Sequence, residues 1–174
     1  MSAIVIRWVT QKRANAFVAQ HHSHNDPVRG DLFRAGAFLN GELIGVGIVG
    51  RPVARMLDDG QTAEVLRICT DGVERSVAAR DGVKHTLPVC ATLYTVLARV
   101  WACYGTRLIT YTLAREEASA LKGLGWRQVA AVKPEPRLGW GREGRRRELR
   151  AISAEPKIRW ELAMPAARVL RSAP

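Results

Sequence analysis

NGELIGVGIVG, residues 40–50, joins a turn signal to a run of small and β-branched residues. Asn-Gly suits the two positive-φ positions of a type I′ turn, so it connects antiparallel strands rather than helices. Working outward, it pairs Leu32–Leu39 with Glu42–Gly50 as a hairpin. Upstream, Ala3–Val9 alternates as a strand, and Thr10 is placed to cap a helix whose apolar Ala14, Phe17 and Val18 share a face and which runs out near Gln20. Downstream come a strand over Glu64–Thr70 and a helix over Pro88–Tyr104, opened by proline and closed by Gly105. Leu108–Leu113 reads as a strand, Ala118–Leu124 as a short helix stopped by Gly125, and Arg127–Val132 as a further strand. Beyond Lys133, KPEPRLGWGREGRRRELR reads as a basic loop over 133–157, before a last strand around Ile158–Leu162. The order predicts a mixed α/β domain over residues 1–174, with a mainly antiparallel central sheet flanked by helices and a basic C-terminal segment.

The chain is 174 residues long and 47% apolar, enough for one continuous core without disulfide staples. Its cysteines, Cys69, Cys90 and Cys103, are odd in number and form no Cys-x-x-Cys pair, which argues against a disulfide framework or a zinc ribbon and for a reducing compartment. MSAIVIRWVT has no long apolar run, and no stretch approaches the roughly 20 apolar residues of a membrane span. A soluble, cytoplasmic protein is the expectation. A formal charge of +11 favours contact with phosphates, double-stranded DNA above all, although an arginine-rich composition also follows from codon bias.

The element order resembles the GNAT acyltransferase fold, and three stretches carry the likeness: NGELIGVGIVG, RLITYTL and ALKGLGWRQV. That family's central strand is normally followed by a Gln/Arg-x-x-Gly-x-Gly/Ala loop whose backbone N–H groups cradle the coenzyme A pyrophosphate. Here EVLRICT leads instead into DGVERSVAARDGVKHTLP, without that spacing, so an acetyl-CoA-type donor would rely on Arg75, Arg80 and Lys84 for its phosphates. The ordered set HHSHNDPVRG, LFRAG, GVGIVGRP and EVLRICTD is similar to a divergent phage and prophage branch that includes the Mom DNA-modification proteins. That resemblance implies a transferase acting on the exocyclic amine of adenine in DNA. An acetyl-CoA-dependent N-acetyltransferase of a small amine or protein is the alternative, and a catalytically silent DNA-binding module is a third.

Three readings of HHSHNDPVRG stand side by side. His21, His22 and His24 with Asp26 offer metal-ligand chemistry, but helical spacing of four is absent and no metal site is assigned. A histidine titrating near neutrality suits proton removal from an amine, which makes His22 or His24 the candidate base. A polar helix exit is the plain reading. Strict alternation along EVLRICTD places Arg67 and Asp71 on one face, Arg67 to anchor an anion and Asp71 to orient a histidine, with an intrastrand ion pair as the simpler account. Glu64 falls on the other face, as an exposed strand glutamate or a base. Tyr111 is the candidate acid or oxyanion donor, or else a packing residue. For nucleic acid, Arg51 marks a strand exit, and Trp140 with Arg142, Arg145, Arg146 and Arg147 joins a stacking face to cations, unless they form a solvated tail.

Overall fold

The computed structural model describes residues 3–21, 27–78, 84–133 and 155–164. Thr10 caps the first helix as its sequence suggests, its Oγ1 accepting from Arg13 N–H at 3.2 Å. The elements run as β1 (Val5–Trp8), α1 (Gln11–His21), β2 (Phe33–Leu39), β3 (Glu42–Gly50), β4 (Thr62–Thr70), β5 (Ser76–Ala78), β6 (Lys84–Thr86), α2 (Val89–Trp101), β7 (Arg107–Leu113), α3 (Ser119–Gly123), β8 (Arg127–Val132) and β9 (Lys157–Ala163). The β2–β3 turn has φ of 51° at Asn40 and 87° at Gly41, the positive pair that Asn-Gly accommodates.

Seven strands form one sheet in the order β1-β2-β3-β4-β7-β9-β8. Every neighbouring pair is antiparallel except β4 and β7, which run parallel. The segment after β4, to which the sequence assigns no strand or helix, contains a small β5–β6 hairpin outside this sheet. The last strand inserts between β7 and β8 instead of extending the edge. No helix among the described residues is long and apolar enough to cross a membrane.

The helices cover opposite faces. Leu93, Leu97 and Trp101 of α2 pack with Ala35, Ala37, Val49, Ala63, Val65 and Leu108, while Ala14, Phe17 and Val18 of α1 pack with Val46, Ile48 and Cys69. The small residues of the NGELIGVGIVG stretch set the distance to α2, because a Cβ on Gly47 would lie 2.7 Å from the Leu97 side chain.

A bulge in β4 decides which side chains share a face. Ile48 pairs with Arg67 and Val49 with Val65, so Leu66 is an extra residue with no partner on β3. The alternation assumed for EVLRICTD is thereby broken. Val65 and Ile68 pack on the α2 side and Cys69 on the α1 side, which places Glu64 and Arg67 together on the α1 side of the sheet.

Candidate active site

The parallel pairing of β4 with β7 is short, running from Thr62 opposite Arg107 to Val65 opposite Thr110. Arg107 Nε donates to Thr62 Oγ1 at 2.8 Å at its first rung, and Thr110 Oγ1 donates to the Val65 carbonyl at 3.1 Å at its last. Beyond Val65 the strands part, β4 continuing against β3 and β7 against β9. A sheet that opens in its middle exposes backbone and side chains of two strands to one ligand.

Glu64 sits at that opening. It is buried, 6% exposed, and accepts from Val53 N–H at 2.8 Å. Burial pushes its carboxyl above the usual carboxylate range, against the pull of the Val53 N–H and the nearby Arg67 and Lys157 charges. It is the residue that strict alternation misplaced: the bulge brings it onto the Arg67 face and the core buries it. On the same face, Tyr111 lies opposite Arg159, Ile109 opposite Glu161, and Leu113 opposite Lys157. Tyr111 is half-buried, and burial, followed by the Glu64 charge, raises its phenol while Arg159 lowers it. Burial, followed by the Arg67 charge, lowers the Lys157 ammonium, and Glu64 raises it. Arg159 Nε lies 3.2 Å from Glu161 Oε1. A buried carboxylate, a phenol and three cations thus share one face of β4, β7 and β9.

Beside this cluster an open cleft of about 580 Å³ is lined by residues 27–32, Arg51, Val53, Leu66 and Arg67. Val53 belongs both to its wall and, through its N–H, to Glu64. The carboxylate is therefore one hydrogen bond behind the cleft surface.

Arg67 and Tyr111, both read from sequence as candidate site residues, lie on one face of the sheet, and Arg51, read as a nucleic-acid contact, lines the cleft with Arg67, but Asp71 does not join them. Asp71 N–H bonds to the Ile44 carbonyl while Arg67 pairs with Ile48, four residues along β3, or roughly 13 Å at strand rise. The Asp71 carboxylate receives Arg75 Nη1 at 2.8 Å and Nη2 at 2.6 Å and the Val73 N–H at 3.1 Å. The shared pocket of Arg67 and Asp71 is thereby corrected to two separate clusters, and Arg75, proposed for donor phosphates, is held by Asp71. The bond from Arg75 draws the Asp71 carboxyl below its ordinary value. Its stabilising contribution is present above the ordinary carboxylate pKa and is lost as pH falls through the lowered one. Asp71→Asn should cost about 1 kcal/mol of stability, as partly exposed ion pairs do, and flatten that acid limb in denaturant melts taken across pH. A fall in turnover without a fall in stability would restore Asp71 to the catalytic group.

Lys84 opens β6. His22, His24, Asp26, Arg80, Trp140, Arg142, Arg145, Arg146 and Arg147 lie outside the described residues.

No family model matches the chain, and no curated protein matches it in sequence. Solved structures do match in shape. The ribosomal-protein-S18-alanine N-acetyltransferase of Escherichia coli superposes with a TM-score of 0.58 at 14% identity over 99% of both chains. An N-acetyltransferase of Staphylococcus aureus gives 0.62 at 14% identity over 94% of this chain and 100% of its own. The yncA protein of Salmonella typhimurium, solved with its cofactor acetyl-CoA, gives 0.58 at 14% identity over 98% and 99%. The fold is that of the GNAT acetyltransferases. At such identities the likeness extends to the fold alone.

Within the GNAT frame the segment after β4 is the departure. Gly72, with φ of 73°, is the one glycine in residues 71–75, and the β5–β6 hairpin then intervenes before α2. Pro88 at the helix start has no N–H, and Val89 N–H already donates to the Leu87 carbonyl at 2.9 Å. Among the described residues after β4 no glycine-rich amide cradle for a pyrophosphate is built, so these residues do not fit coenzyme A in that manner.

Proposed function

We propose that the chain is a group transferase that moves an acyl group onto an amine, with Glu64 as the proton acceptor. The buried Glu64 carboxylate at the parting of β4 and β7 carries this reading, because a carboxylate raised toward neutrality by burial is a better base than an exposed one. The amine nitrogen bonds to the donor carbonyl, its proton passes to Glu64, and the carbonyl's bond to the leaving group breaks. Tyr111, on the same face, supplies a proton to that leaving group. The charges of Arg67 and Lys157 favour the ionised form of Glu64 against the larger effect of its burial.

The acceptor classes separate by experiment. Incubation with a panel of amines and a panel of acyl thioesters, acetyl-CoA among them, read by product mass and thiol release, should give an acylated amine. Absence of product with every amine and every thioester donor tried defeats the reading.

A second reading keeps adenine in DNA as the acceptor, as in the Mom-like branch that the motifs resemble, and its support is the formal charge of +11. It expects a modified nucleoside in digested DNA from expressing cells. It also expects Arg145, Arg146 and Arg147 replaced together by alanine to flatten the salt dependence of DNA binding, by about 0.9 in log–log slope for each phosphate no longer neutralised. An unchanged slope would make those arginines a solvated tail, and binding without any nucleoside change would favour a silent DNA-binding module.

A further inference from the structure

We propose that the cleft beside Glu64 selects small amines that also carry an oxyanion, a carboxylate or a phosphate, so that charge at one end positions the amine at the other. The assignment names the acceptor class for the transfer proposed above and rests on it for the role of Glu64. It stands on the composition of the walls. Arg29, Arg51 and Arg67 line the cleft, with the apolar Val28, Leu32 and Leu66 between them. The one carboxylate among the lining residues, Asp31, is 3% exposed in its side chain and is neutralised from behind by an ion pair with Arg34, while Gln11 Nε2 donates to it at 3.0 Å. Arg34 is itself fixed by a bond from its Nε to the Val9 carbonyl at 3.0 Å.

Arg29 and Arg51, by contrast, are exposed and enter no ion pair among the described residues. The two exposed guanidinium groups of Arg29 and Arg51, with Arg67 also in the lining, make the cleft surface cationic, and guanidinium forks match carboxylate and phosphate oxygens in pairs. The volume of about 580 Å³ is that of a small-molecule site. Apolar lining between the arginines suits a short methylene spacer, whose amine would then reach the wall where the Val53 N–H holds Glu64.

The test is binding, measured by calorimetry without an acyl donor. β-Alanine is compared with β-alaninamide, and O-phosphoethanolamine with ethanolamine, on wild type, on Glu64→Gln and on the Arg29→Gln/Arg51→Gln double variant. The anionic member of at least one pair should bind about tenfold tighter or better, with the preference shrinking as salt is added. The pair showing the larger gap identifies the oxyanion as carboxylate or phosphate. The preference should survive in Glu64→Gln and disappear in the double arginine variant, whose melting temperature should match wild type because both side chains are exposed. Equal binding of charged and neutral members, a preference that survives removal of both arginines, or affinity confined to duplex DNA overturns the proposal. A chain that binds these anions but transfers nothing defeats the transferase reading and leaves the cleft assignment intact.

Discussion

Glu64→Gln should lower turnover by about 10²–10⁴-fold, the span that a positioned general base contributes, while substrate affinity and fold stay near wild type. An amide fills the same volume and its Oε1 still accepts from Val53 N–H, so the buried hydrogen bond is kept and only the proton acceptor is removed. Stability should move little, by no more than about 1 kcal/mol or roughly 2–4 °C for a chain of this size. Two effects offset each other: a buried charge is removed, and Lys157 and Arg67 lose the neighbour that tempers their repulsion.

Rate and stability should depend on pH with opposite signs. Since burial raises the Glu64 carboxyl, the wild-type rate should climb with pH through a limb displaced above the ordinary carboxylate range, and the variant's residual rate should lack that limb. Stability runs the other way. The folded chain holds the Glu64 proton more tightly than the unfolded one, so this group's contribution is full below the ordinary carboxylate pKa and is lost as pH rises through the raised one. Steady-state rates and denaturant melts across the same pH series read both. A variant with wild-type kcat and an unchanged acid limb would remove Glu64 from the chemistry and return weight to His22 or His24.

The hairpin, the capped first helix and the closing glycines were legible because each rests on local backbone chemistry: paired positive φ at Asn40 and Gly41, an acceptor at Thr10, a left-handed Gly125 with φ of 77°. The site was legible only in part, because its geometry depends on a single unpaired residue. Nothing in EVLRICTD marks Leu66 as a bulge, since the extra residue is defined by the register of β3 against β4 and not by its own side chain. With strict alternation Glu64 falls on the wrong face and Asp71 joins Arg67; with the bulge, Glu64 joins Arg67, and Asp71 is left to Arg75. The β5–β6 hairpin escaped for a related reason. Two strands of three residues each carry too few positions for a period of two to register.

Gly105 shows how one residue can be read correctly from sequence and still be needed for another reason. It comes after α2 as a helix stop, and its N–H bonds to the Trp101 carbonyl at 2.9 Å. Yet its positive-φ tolerance is not what the position uses, since it is absent from the residues with positive φ. The requirement is space: a Cβ there would lie 2.5 Å from the Gln61 carbonyl oxygen and 2.5 Å from two atoms of the Trp101 ring. Neither neighbour can give way. The Gln61 carbonyl accepts from both Thr106 N–H and Arg107 N–H, just ahead of the first β4–β7 rung, and Trp101 is buried with its Nε1 donating to the Arg107 carbonyl at 2.9 Å. Gly105→Ala should therefore destabilise the chain by about 3 kcal/mol, the upper end for overpacking, seen as a lower urea midpoint at unchanged slope. Gly30→Ala, which meets nothing within 4 Å, should stay within about 0.5 kcal/mol of wild type as an open surface site. Trp101→Leu in the Gly105→Ala background should recover only a fraction, because it relieves the ring and not the carbonyl. If Gly105→Ala alone melts like wild type, the junction of α2 with β7 is looser than these distances require, and the β4–β7 pairing that begins just after it has no fixed starting point.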